Sequence, residues 1–257
     1  MRWAWIAVVG LAATQIAQAG TQCRTRELSP GDWAQATRTA MAVVAELDRH
    51  DAPVALVARS GTDLRKHGIR FSHVGFVVRD HPDGRWTVVH LLNRCGTDDS
   101  ALHAEGLIDF YADARISQDT RIVWLRPARA RALRDALGPS RLHALHEPHY
   151  NLIAHPDSRH FQNSTSWALE VLGASATGRP SVDRAMAQAQ LHALAYRPFS
   201  IDIPYRKRIA GGLFAGNMHF TDHPLAARLS GHYQVVTVDS IFDWLDDNDW
   251  IEATADR

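Results

Sequence analysis

Two apolar runs, Ser72-His73-Val74-Gly75-Phe76-Val77-Val78 and Trp86-Thr87-Val88-Val89-His90-Leu91-Leu92-Asn93, flank Asp80-His81-Pro82-Asp83-Gly84-Arg85. β-Branched and aromatic residues suit a pleated surface, and Pro and Asp-Gly reverse the chain. The stretch therefore predicts a β-hairpin with His73 at its start and His90 on the return strand. Gly75, two residues after His73, leaves room for a close neighbour.

A chain of 257 residues, 46% of them hydrophobic, can build one substantial core or two small ones. The formal net charge of zero argues against broad electrostatic binding to nucleic acid or to anionic lipid surfaces. The only lysines are Lys66 and Lys207; with abundant Ala and Arg, that scarcity reads as coding bias rather than function.

The N-terminus carries an export signature. Arg2 precedes an apolar run over 4–13, and Ala17-Gln18-Ala19 is a small-residue cleavage site. These features predict a signal peptide over 1–19, a mature chain from Gly20, and a periplasmic or secreted location. No later segment approaches about 18 uninterrupted apolar residues, so no transmembrane span is expected after cleavage. The two cysteines, Cys23 and Cys95, then read as one disulfide pinning the mature terminus. The alternative, a catalytic thiol, lacks a helix start to hold a thiolate.

Elsewhere, periodicity predicts helices over 33–49, 105–112, 127–137 and 140–146, a buried strand over 54–58, a turn of helix over 64–69 and a strand over 121–125. A polar stretch over 149–163 leads into a helix from Ser164 that Gly173 is expected to stop. Helices over 181–194 and 204–213, a turn at 220–224, a strand over 234–238 and a last helix capped by Asp239 or Ser240 complete the chain. No dinucleotide or Walker loop is present, so no nucleotide cofactor is expected. The expected fold is α+β, one domain over 20–257, with a small antiparallel sheet packed on helices and further helices after Ser175, and the Gly, Ser and Thr at 174–180 mark an expected minor sub-boundary.

Three residues form a candidate catalytic set. Ser164 lies at a helix start, where free N–H groups favour negative charge. His73 is a strand-borne base, and His90 can orient it from the paired strand. Gln162 or Asn163 is placed to lend an amide to an oxyanion. The plain alternative is that Asn163 or Ser164 only caps the helix. His219 and His223 have metal-like spacing, but Pro224 favours a turn, and no metal is expected. His143, His146 and His149 read as a solvated face.

Val57-Ala58-Arg59-Ser60-Gly61 followed by Arg70-Phe71-Ser72-His73-Val74-Gly75-Phe76 resembles the circularly permuted NlpC-type papain-like proteins, a group that includes lecithin retinol acyltransferase-like and YiiX-like enzymes. In that group the strand His is the base and a Cys follows at a later helix start. Here Tyr150-Asn151-Leu152 and Asn163-Ser164-Thr165-Ser166-Trp167 occupy the later positions. The RFSHVGF, YNLIA, QNST and F-x-DHP stretches also resemble the exported bacterial family DUF2145, over nearly the whole mature chain. The resemblance implies a papain-like fold, catalytic roles for His73, His90 and Ser164, and a cleft contacted by Arg59, Ser72, Tyr150, Gln162, Asn163, Asp222 and His223. It departs from the pattern at Ser164, which stands where the thiol belongs. Two functions follow: a Ser–His hydrolase or acyltransferase acting on a cell-envelope amide or ester, or a binding protein for such a peptide or lipid on a scaffold that has lost its cysteine.

Overall fold

The computed structural model describes residues 27–94, 97–114, 116–214 and 216–257, with side chains of 210–214 excepted. The expected signal peptide over 1–19 and the Cys23–Cys95 bridge lie outside the described residues.

The chain is α+β, built on a six-stranded sheet in the order β4-β3-β2-β1-β5-β8, every neighbour antiparallel. Its strands are β1 (Val54–Ser60), β2 (His73–His81), β3 (Gly84–Asn93), β4 (Ser100–Glu105), β5 (Ser117–Leu125) and β8 (Ile251–Asp256). The hairpin forms as expected but longer, closing through Asp80 opposite Arg85 and His81 opposite Gly84.

Helices cover both faces, which is why β1 is buried at all seven positions instead of alternating. On one face α1 (Pro30–Leu47) and α2 (Leu107–Ala112) pack Val43 and Phe110 against Val57, Val77 and Trp124. A capping box of Ser29 and Asp32 starts α1. On the other face α3 (Pro127–Ala136), α5 (Ser164–Ala176) and α9 (Val238–Asp247) pack Leu133, Trp167 and Ile241 against Leu56, Phe76 and Leu91. The short α4 (Pro139–Ala144) precedes the polar stretch, and α6 (Arg184–Ala193) lies along α5. A separate ribbon pairs β6 (Phe199–Asp202) with β7 (His232–Val235), with α7 (Tyr205–Phe214) and α8 (Leu225–Ser230) between them in sequence. Among the described residues no helix is long and apolar enough to cross a membrane.

Several expectations need correction. Gly173 does not stop α5, which runs on to Ala176. A Cβ at position 173 would lie 2.8 Å from the Ala187 carbonyl oxygen and 2.8 Å from Leu191 Cγ, so the glycine is there to let α6 approach. The last helix is capped by Thr237, whose Oγ1 accepts from Ser240 N at 3.0 Å while Ser240 Oγ accepts from Thr237 N at 3.0 Å. That cap ends the strand at Val235, short of the expected 238. The predicted end of α7 at Gly211-Gly212 is passed, and the helix reaches Phe214. Strands β4, β6 and β8 were not foreseen; β8 adds an edge to the main sheet, so the C-terminal part is not helical alone.

Candidate functional site

His73 and His90 meet. His73 Nε2 lies 2.7 Å from His90 Nδ1, and His90 Nε2 lies 3.1 Å from Glu105 Oε1 in a bent approach. Pairing of β3 with β4 brings Glu105 to this pair. A carboxylate only accepts, so it favours the proton on His90 Nε2. His90 Nδ1 then accepts from His73 Nε2–H, and His73 Nδ1 is left as the basic nitrogen. That atom makes no hydrogen bond to the described residues and is not sealed from solvent as His90 Nε2 is.

Burial, then Arg59 and His90, holds His73 well below the usual histidine range. Burial also lowers His90, against the opposing pull of Glu105. Burial raises Glu105, but the His90 contact and nearby positive charge outweigh it, and the carboxyl ends below its ordinary range. The set is therefore two neutral imidazoles oriented by one carboxylate. Arg59 completes it: its guanidinium lies 4.9 Å from the Phe110 centroid and donates to the Asp113 carbonyl at 2.6 Å. Gly75 provides the close approach expected of it, since a Cβ there would lie 2.6 Å from Val88 Cγ1 and 3.3 Å from His90 Cβ.

Ser164 belongs to a different place. Strand alternation sends Val74 and Phe76 into the core beneath α5, with Phe76 5.6 Å from Trp167. His73 and Gly75 therefore point to the α2 face, where Phe110 lies 5.8 Å from the His73 ring. Ser164, Tyr150, Asn163, Thr165 and Ser72 instead border a cavity of about 460 Å³. Its walls include Leu64, Phe71, Leu152, Ile153, Ile203 and Val236. Tyr150 is the polar neighbour of Ser164 on this wall, and burial pushes its phenol up to about 12 against a smaller lowering by Ser164. The expected Ser164–His73 hydrogen bond is not formed.

The remaining expected residues divide. Ser72 borders the cavity and accepts from Gly61 N and Thr62 N at 2.9 Å each, closing the turn after β1. Asn163 borders it too, but its Oδ1 caps α5 by accepting from Ser166 N at 2.8 Å and its Nδ2 donates to Leu152 O at 3.2 Å. The capping reading of this asparagine is correct, and its amide nitrogen is oriented by the Leu152 carbonyl. Gln162 is fully buried outside the cavity, donating to Leu145 O at 2.9 Å and Glu170 Oε2 at 2.6 Å. Asp222 and His223 do not line the cavity; they brace the polar stretch. Asp222 accepts from Ser158 Oγ at 2.5 Å and His155 N at 2.8 Å, and His223 Nε2 donates to Ile153 O at 2.6 Å. His219 stacks on Phe161 at 4.6 Å, so it and His223 do not converge on a common point. Arg59 lies with the histidines, away from the cavity.

The sequence reading missed Glu105, because β4 was not foreseen, and it missed Lys66, His67 and Lys207, all of which border the cavity. The rarity of lysine was the available signal. No curated protein and no solved structure matches the chain. A family model described as "Uncharacterized protein conserved in bacteria (DUF2145)" matches residues 46–245, from the last turn of α1 into α9, and the chain belongs to that family.

Proposed function

We propose that this is an exported cell-envelope protein that binds a peptide or lipid component of the envelope in the cavity at the start of α5, without turning it over through a Ser164–His73 pair. The observation that carries this reading is the separation of Ser164 from His73: the imidazole points to Phe110 on the α2 face, while Ser164 borders the cavity on the α5 face beside a phenol that is no base near neutral pH. A concave site with mostly apolar walls and a few polar groups suits a bound small molecule.

A second reading keeps the hydrolase or acyltransferase on a papain-like scaffold, and one observation favours it. Two buried neutral histidines oriented by Glu105 leave a basic nitrogen on His73, an arrangement typical of acid–base sites. Reaction of the full chain with a fluorophosphonate and with an activated ester separates the readings. Binding alone predicts that wild type labels no better than Ser164→Ala. Labelling of wild type that falls about 10³-fold in both Ser164→Ala and His73→Ala would overturn it, because members of a catalytic set act as a unit.

A further inference from the structure

The two lysines of the chain, far apart in sequence, both border the one cavity that Ser164 opens into. Lys66 comes from the short turn before β2, and Lys207 from the first turn of α7. Both are exposed, and neither makes an ion pair among the described residues. His67 feels both: burial lowers its pKa first, then Lys66 and Lys207 lower it further, against a smaller raising by Asp202. The single carboxylate on the cavity wall, Asp202, is engaged by His232. Two ammonium groups against this one carboxylate leave the rim with a cationic excess on a chain whose net charge is zero. The other walls are mostly aliphatic and aromatic, with the hydroxyls of Ser164 and Tyr150 among the few further polar groups.

From this we infer that the cavity takes an anionic amphiphile: an aliphatic chain lying along Leu152, Ile153, Ile203 and Val236, with a carboxylate or phosphate held between Lys66 and Lys207. Apolar walls alone would accept any alkyl chain, and unpartnered ammonium groups at the rim select a negatively charged head. The inference rests on the proposed reading of the cavity as a binding site and names its ligand class.

Displacement of a fluorescent fatty-acid probe from the full chain tests it, with dodecanoate, dodecyl phosphate and dodecanol as competitors. The two anions should compete about tenfold better than the alcohol, the scale expected of two exposed charge pairs. That advantage should vanish in Lys66→Gln/Lys207→Gln while dodecanol is unaffected. Ile203→Trp, which fills the cavity, should weaken all three. Dodecanoate against dodecyl phosphate tells a free acid from a phosphate head. Equal competition by alcohol and anions, or lysine variants that change nothing, would overturn the ligand class while leaving the cavity as a site. Competition that Ile203→Trp does not alter would overturn the cavity reading itself.

Discussion

Replacing Arg184 with alanine should lower the unfolding free energy by about 3–5 kcal/mol, the cost of leaving a buried charge without its partner. Glu170 is buried in the middle of α5, and burial raises its carboxyl above the usual range even with Arg184 beside it. Its oxygens accept from Arg184 Nε at 2.8 Å, Arg184 Nη2 at 3.0 Å, Gln188 Nε2 at 2.9 Å and Gln162 Nε2 at 2.6 Å. Arg184 also donates to the carbonyls of Ser158 at 2.8 Å and Phe161 at 3.0 Å. The pair thus ties α6 and the polar stretch to the helix that opens the cavity. Urea unfolding should show a lower midpoint with an unchanged slope. In a Glu170→Leu/Arg184→Met double variant the loss should be smaller than in Arg184→Ala, because the isolated carboxylate is what costs most. A loss below about 1 kcal/mol in Arg184→Ala would mean that the pair is not buried as described.

Acidification should weaken the fold. His73 and His90 are both held below their ordinary range by burial, so the native state keeps them neutral where the unfolded chain takes up protons. Just below the ordinary histidine value, about 6.5, the unfolded state binds more protons, and stability falls as pH falls. Because an unfolded histidine is already half protonated at about pH 6.5, each removes at most about 1 kcal/mol and the pair at most about 2 kcal/mol between about pH 6.5 and 5.5. From about a pH unit above the ordinary histidine value both states are neutral and the contribution is constant. His67, His146 and His223, also lowered first by burial, act in the same direction, whereas His149, raised by its hydrogen bond to Glu147, opposes them. The comparison that isolates the pair is therefore unfolding against pH for wild type and a His73→Phe/His90→Leu variant. The variant should show the shallower dependence; parallel curves would contradict the neutral buried pair.

The hairpin was legible because its residues are apolar on both sides, and two covered faces leave that mark in the sequence. Edge strands leave less. β4, Ser100-Ala101-Leu102-His103-Ala104-Glu105, has few strand-favouring residues and forms because β3 offers a partner. Glu105 stayed invisible with it, since only register brings that carboxylate beside His90. Gly173 reads as a helix stop in one dimension and as a contact with Ala187 in three. The Ser164–His73 pairing failed for a related reason. Motif order places both residues near a helix start and a strand start, but strand alternation decides which face each side chain occupies. Asn163 behaved as capping chemistry predicts, and Gln162, Asp222 and His223 proved to be braces of the polar stretch that ends at α5.

The cavity at Ser164 and the histidine pair are separate, with the sheet between them. Nitrogen chemical shifts of the His73 ring measure this most directly. A neutral ring protonated at Nε2 is expected, with shifts that stay the same in Ser164→Ala and on saturating the cavity with dodecanoate. A change at His73 Nδ1 on either perturbation would place the two in one site and contradict it.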